Sequence, residues 1–205
     1  PDGREVDYML NSQGQVTAVT TSVGGVTKTL AQNIEYQPFG PRRSITLGSG
    51  QVITNTFDQQ HRMTAIEVAG ILELDFSHDA AGNVTAIDNL LDTAGNKTFS
   101  YDDLYRLTGV TYPDGETVSY AYDPMGNRTG MTSSVHGATA YSYDDGDRLL
   151  EAGPLSFTWD DNGNMTNKFE NGTNTVYAWD YENRMVHITY DDGSTNAFAY
   201  YPSSS

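Results

Sequence analysis

Five stretches of the chain are near copies of one another: "FSYDDLYRLT" from residue 99, "YAYDPMGNRT" from 120, "YSYDDGDRLL" from 141, "FTWDDNGNMT" from 157 and "YAWDYENRMV" from 177. Self-similarity at a period of about 20 to 50 residues decides architecture before local propensity does, because each copy is a unit that buries its apolar face only against the next. Aligned on the residue after the second aromatic, the units have anchors at Asn11, Gln37, Asp58, Asp79, Asp102, Asp123, Asp144, Asp160 and Asp180. The first step is 26 residues and the others are 21, 21, 23, 21, 21, 16 and 20, so the variation sits in the connections.

Within a unit, aromatics at i and i+2 share one face of a strand, as with Phe99 and Tyr101, Tyr120 and Tyr122, Tyr141 and Tyr143, Phe157 and Trp159, and Tyr177 and Trp179. The anchoring Asp then opens a four-residue turn, for which its short side chain is suited. The return strand begins with an apolar set such as Val84 and Ala86, or Leu107 with Val110 displaced by one, and is rich in Thr. Helical i, i+3, i+4, i+7 patterning is nearly absent. The reading is an all-β chain of antiparallel strand-turn-strand repeats forming a spiralling β-sheet.

The turn has a second order of regularity. Three residues after the anchor stand Gly40, His61, Gly82, Tyr105, Gly126, Asp147, Gly163 and Asn183, so glycine alternates with other residues. One residue further, the non-glycine units carry Arg62, Arg106, Arg148 and Arg184, and three of the four glycine units carry Asn83, Asn127 and Asn164. Gly-Asn permits the positive φ that a turn ending in a bulge requires, whereas the Arg form must take another backbone path or strain a side chain. The guanidinium is placed to bond the turn-opening Asp or to lie over a neighbouring aromatic ring. Arg units lead into tight reversals at "PDG" 113, "AGP" 152 and "DDG" 191; glycine units lead into longer connections at "NLLDTAGNK" 89 and "TSSVHGATA" 132, with "ENG" 170 short.

Charge limits the partners. The 205 residues hold 27 acids against 11 bases, a formal net charge of −16, which disfavours nucleic acid and anionic membrane surfaces. Of the acids, 19 are Asp and 8 Glu, so the acidity is largely turn chemistry. Cysteine is absent, which removes disulfides and thiolate metal sites, and no apolar run is long enough to span a membrane. The start on Pro1, with no charged-then-apolar leader, reads as a piece of something longer.

These residues resemble the YD-repeat, or RHS (rearrangement hotspot), family, named for the Tyr-Asp pairs seen at Tyr101-Asp102, Tyr122-Asp123 and Tyr143-Asp144, with Trp-Asp at 159 and 179 and Phe-Asp at 57. "YQPFGP" at 36 and "GSGQVITNTFDQQHRM" from 48 also resemble an RHS segment, and the match spans roughly residues 34–200. In that family the repeats spiral into a hollow shell, which encloses a C-terminal toxin in bacterial polymorphic toxins and insecticidal toxin complexes and forms the barrel of animal teneurins. The resemblance implies a non-enzymatic wall, within a secreted or surface protein, that encloses or presents another domain. The family's "DPxGL" core motif is missing; "DPMGN" at 123 is an ordinary turn. Residues 1–33 read as a divergent repeat and linker, and 34–205 as an array of about eight units truncated at its end, where Tyr201 takes the anchor position. The structural repeat residues are Tyr101, Asp102, Arg106, Tyr122, Asp123, Gly126, Asn127, Tyr143, Asp144, Arg148, Trp159, Asp160, Gly163, Asn164, Trp179, Asp180 and Arg184.

No catalytic, cofactor or metal residues are assigned. His61, His78, His136 and His187 lie in four units without ligand spacing. The doublets Asp102-Asp103, Asp144-Asp145, Asp160-Asp161 and Asp191-Asp192 sit at turns rather than pairing across a pocket. "DDNGN" at 160 has oxygens for calcium but not the EF-hand spacing. Five N-x-[ST] sequons occur, at Asn83, Asn96, Asn127, Asn164 and Asn171, three of them in the repeat's own Gly-Asn turn. The tyrosines read as the packed face of the sheet, with hydroxyls reaching solvent or a partner. Two rival functions remain: a carbohydrate-binding or adhesive surface using the aromatic pairs, and a polymer-forming filament wall joined through strand edges that only three lysines and one mid-strand proline candidate blunt.

Overall fold

The computed structural model describes residues 4–38 and 40–200, so the position read as a last anchor, Tyr201, lies outside the described residues. Among these residues there are nineteen β-strands and one short 3-10 turn, Thr93–Gly95. All pairings are antiparallel, as period-two patterning without helical patterning requires.

The chain divides into two compact units, Pro1–Thr117 and Val118–Ser205. The first contains β1 (Glu5–Leu10), β2 (Val16–Val23), β3 (Val26–Tyr36), β4 (Arg42–Leu47), β5 (Val52–Phe57), β6 (Met63–Val68), β7 (Leu72–His78), β8 (Val84–Asn89), β9 (Lys97–Tyr101) and β10 (Leu107–Thr111). Each pairs with the next in sequence, a meander from β1 to β10. The second unit is another meander, of β11 (Thr117–Tyr122), β12 (Arg128–Ser133), β13 (Gly137–Tyr143), β14 (Leu149–Ala152), β15 (Leu155–Trp159), β16 (Met165–Glu170), β17 (Thr173–Trp179), β18 (Met185–Thr189) and β19 (Thr195–Ala197).

Burial is shallow for this much sheet. The first unit has one small core of Ala31, Ile34 and Ile45, with Val19, Tyr36, Leu47 and Ile53 packed on it, and among the described residues no large side chain is completely buried. The aromatic pairs are half-buried. Regularity here therefore rests more on hydrogen-bond geometry and cross-strand neighbours than on a thick interior.

One connection differs from the expectation of length. "TSSVHGATA" is a tight hairpin, because Ser133 pairs with Gly137 and its hydroxyl accepts from the Val135 and His136 amides. The "PDG" and "DDG" reversals use the same closure as the Asp turns: the Tyr112 amide donates to Glu116 and Gly115 back to Tyr112, and Tyr190, Ser194 and Gly193 repeat the pattern. One turn geometry thus serves both ends of many hairpins.

Candidate functional site

The feature that recurs is the turn itself, and its chemistry is spent inward. At Asp102 the backbone amide donates to the Arg106 carbonyl at 3.0 Å, and the Tyr105 amide donates back to the Asp102 carbonyl at 2.9 Å. The carboxylate closes the same loop: Oδ1 accepts from the Leu104 and Arg106 amides at 2.9 Å each, and Oδ2 accepts from Arg106 Nε at 2.7 Å. Asp144 with Arg148 and Asp180 with Arg184 repeat this arrangement. In the glycine form an asparagine amide replaces the guanidinium, with Nδ2 of Asn83, Asn127 and Asn164 donating to Oδ2 of Asp79, Asp123 and Asp160 at 2.9, 3.1 and 3.0 Å. A side-chain oxygen one methylene from the backbone reaches its own turn this way, as Asn11 Oδ1 also does towards the Gln13 and Gln15 amides, which explains Asp rather than Glu at the anchors from Asp58 to Asp180.

Of the two possibilities open for the Arg form, the structure takes strain. His61, Tyr105, Asp147 and Asn183 stand at φ of 61, 62, 60 and 58°, while Gly82, Gly126 and Gly163 stand at 95, 99 and 84°. Both forms therefore follow one left-handed path, shifted by a few tens of degrees where glycine allows it. A register shift follows in every one of these turns, between Thr56 and Phe57, Ser77 and His78, Leu107 and Gly109, Ala121 and Tyr122, Ser142 and Tyr143, Thr158 and Trp159, and Ala178 and Trp179. The displacement between Leu107 and Val110 in the sequence is this bulge. The extra residue is Thr in the three Gly-Asn units, namely Thr85, Thr129 and Thr166. Three of the sequons are therefore a turn Asn followed by a bulge Thr.

The hydrogen bonds depress the anchors. The Arg amide, ahead of the opposing partial burial and the Arg side chain, holds the carboxyls of Asp102, Asp144 and Asp180 below the ordinary value. For Asp79 and Asp160 the leading cause is the Asn side chain. At Asp58 and Asp123 burial is the largest single influence and acts upward, but the hydrogen bonds together outweigh it.

Six aromatics at the second position of their units each tie that unit to the one before. Tyr36 donates from its hydroxyl to the Val16 carbonyl at 3.0 Å, Tyr101 to Val84 at 2.8 Å, Tyr143 to Arg128 at 3.1 Å and Tyr200 to Met185 at 2.8 Å. Trp159 and Trp179 do the same from Nε1, to Leu149 at 2.8 Å and Met165 at 2.7 Å. In each pair the acceptor lies five residues beyond the previous anchor. The reason is that ladders between units stop short of the turn; β8 and β9 pair only at Ala86 with Thr98 and Ile87 with Lys97. The strands splay there, and the aromatic fills the wedge and satisfies a carbonyl that has lost its ladder partner. The sequence pointed these hydroxyls at solvent or a partner; in the structure they are spent on backbone carbonyls of the preceding unit.

The next links run forward along the array. Arg62 Nη1 donates to the Asp79 carbonyl and Arg148 Nη1 to that of Asp160, both at 2.8 Å. Asn127 Nδ2 reaches Asp147 Oδ1 at 2.6 Å and Asn164 Nδ2 reaches Asn183 Oδ1 at 2.9 Å. Each Arg or Asn in these pairs thus serves its own Asp and the following turn. Ring stacking falls to Arg128, 4.4 Å from the Tyr141 centroid, and to Arg184, 4.9 Å from that of Tyr200.

Sequence reasoning missed Asn55, 8% exposed, whose Nδ2 donates to the Arg42 carbonyl at 2.9 Å. The signal was a polar residue inside the strand of the one unit whose second aromatic, Phe57, has no donor. At "DDNGN", the Asp160 carboxylate is occupied by the Asn162 amide and by both nitrogens of Asn164. Among the described residues no three His, Asp or Glu side chains converge as a metal site, and no helix is long and apolar enough to cross a membrane.

Comparison with known proteins gives one family and one fold. A family profile described as "Teneurin YD-shell" matches residues 10–201. Among solved structures, "Crystal Structure of TcdB2-TccC3-TEV" superposes with a TM-score of 0.67 at 16% identity, covering 98% of this chain and 13% of that one. "Crystal Structure of TcdB2-TccC3-Cdc42" gives 0.66 at 15%, with 92% and 12% covered. "Structure of Photorhabdus luminescens Tc holotoxin pore, Mutation TccC3-D651A" gives 0.63 at 15%, with 94% and 12% covered. The chain thus spans about an eighth of the solved chains it matches. No curated protein sequence matches it.

Proposed function

The chain belongs to the teneurin YD-shell family, and on that premise we propose that it is a non-catalytic wall segment of a larger secreted or surface protein, enclosing or presenting another domain. The observation that carries this reading is where the polar chemistry goes. The anchor carboxylates, the Arg and Asn side chains that face them and the donors of the second aromatics are consumed in closing turns and in tying each unit to its neighbours. A wall needs that arrangement, whereas catalysis needs groups left free to act on a substrate. The repeat residues from Tyr101 to Arg184 are assigned this structural role, with 34–205 supplying the regular array and 1–33 a divergent first unit. Its partners are other repeats and domains of the same polypeptide, an enclosed toxin domain among them.

The test is cryo-electron microscopy of the longer native polypeptide at a resolution that traces strands. A closed wall with density inside supports enclosure. A sheet continuing from molecule to molecule makes the segment a filament wall instead, and saturable glycan binding by the exposed face makes it an adhesive surface.

A further inference from the structure

We propose that Asn171 is a modification site, deamidating spontaneously to aspartate and isoaspartate ahead of the chain's other Asn-Gly pair, Asn162-Gly163. Deamidation needs the backbone nitrogen of the following residue to reach the Asn Cγ, and glycine, without a Cβ, lets that nitrogen approach. Both pairs are exposed. They differ in what holds the attacking nitrogen. The Gly163 amide donates to the Asp160 carbonyl at 3.1 Å and the Asn162 amide to Asp160 Oδ1 at 3.0 Å, so that pair is locked inside the Asp turn.

Asn171 and Gly172 instead form the whole loop between Glu170 and Thr173, which pair directly at the end of β16 and β17. They sit at φ of 50 and 88°. Among the described residues neither the Asn171 side-chain amide nor the Gly172 N–H has a hydrogen-bond partner. A Cβ placed on Gly172 would meet nothing within 4 Å. The ψ rotation that brings nitrogen to Cγ therefore breaks no hydrogen bond of the Asn171 side chain or of the Gly172 N–H; the bond that spans the loop, from Thr173 Oγ1 to the Glu170 carbonyl at 2.6 Å, is made by its two flanking residues. The other four sequon asparagines are held: Asn83, Asn127 and Asn164 by their Asp partners, and Asn96 through Oδ1, which accepts from the Asn89 amide at 2.8 Å.

In the step, the Gly172 nitrogen loses its proton to base and forms a bond to Asn171 Cγ. The Cγ–Nδ2 bond breaks and ammonia leaves, giving a succinimide, and water opens the ring at either carbonyl. The net change is amide plus water to carboxylic acid plus ammonia, with no oxidant or reductant. The isoaspartate product carries an extra backbone methylene into a two-residue loop, which works against the Glu170–Thr173 register. It also adds a negative charge to a chain already at −16.

The test is ageing of the intact chain in mildly alkaline buffer at physiological temperature, followed by peptide mapping with mass spectrometry and isoaspartyl methyl transfer. A second sample is aged in urea. The expected result is conversion at Asn171 an order of magnitude faster than at Asn162 in the native sample, with the two rates drawing together in urea. Equal native rates, a faster Asn162, or a preference that persists unchanged in urea would each overturn the proposal. So would a native Asn171 that stays intact while the urea sample reacts.

Discussion

Asn55 donates from Nδ2 to the Arg42 carbonyl at 2.9 Å, doing from inside strand β5 what a tyrosine hydroxyl or indole N–H does in other units. Phe57 fills the aromatic place and has no polar hydrogen. The wedge between neighbouring units thus needs both a large apolar body and a donor, and the chain supplies them from one residue or from two.

Asn55→Leu is expected to destabilise by about 1–3 kcal/mol, the cost of leaving a buried acceptor without its partner. Adding Phe57→Tyr should recover part of the loss, since the new hydroxyl stands where Tyr143 stands in its own unit. Urea unfolding midpoints read both. A double variant no more stable than the single one would show that the two sites are not equivalent.

Tyr143→Phe should cost about 1 kcal/mol, a single hydrogen bond, with the ring's packing kept. Tyr141→Phe, two residues earlier on the same face, should change stability by less than half of that, because its ring still covers Arg128. Equal effects of the two substitutions would remove the special role given to the second aromatic.

Tyr105→Gly relieves a left-handed non-glycine residue and is expected to stabilise by about 0.5–1 kcal/mol after the added freedom of the unfolded chain is counted. Asp147→Gly should stabilise less, since it also removes the acceptor of Asn127. Gly126→Ala, at φ 99°, should destabilise by about 1–2 kcal/mol. Thermal midpoints of the three variants give the order directly.

Acid should loosen the array at all its turns together. The anchor carboxyls are depressed when folded, so the folded chain binds protons more weakly than the unfolded chain. Their stabilisation is complete above the unfolded aspartate value and is lost as pH falls through the lower folded values. The urea midpoint should therefore be flat from about pH 7 to 5 and fall steeply below about pH 4. A midpoint that stays flat down to about pH 3 would show that the anchor carboxyls do not carry this stability.

Much of this was legible in the residues themselves. Asp at the anchor, glycine or its substitute three residues on, and Arg or Asn one further are all within one turn, where side chain and backbone meet whatever the rest of the chain does. Alternating aromatics fixed a face and a strand for the same reason. The Arg form's backbone was not legible, because the sequence left open whether the chain would strain or reroute, and the closure shared by both turns made strain the outcome. The length of "TSSVHGATA" was misread because the Ser133 hydroxyl closes a hairpin that carries no Asn-Gly or Pro signal.

The sequence by itself determined a repeating β unit, the turn that closes it and the alternation of two turn chemistries, since those depend on contacts within about five residues. Tertiary structure alone decided what joins the units. Tyr143 to Arg128, Arg148 to Asp160 and Asn164 to Asn183 connect residues 12 to 19 apart, and they exist only because stacking of the repeats brings each donor beside an acceptor of the neighbouring unit.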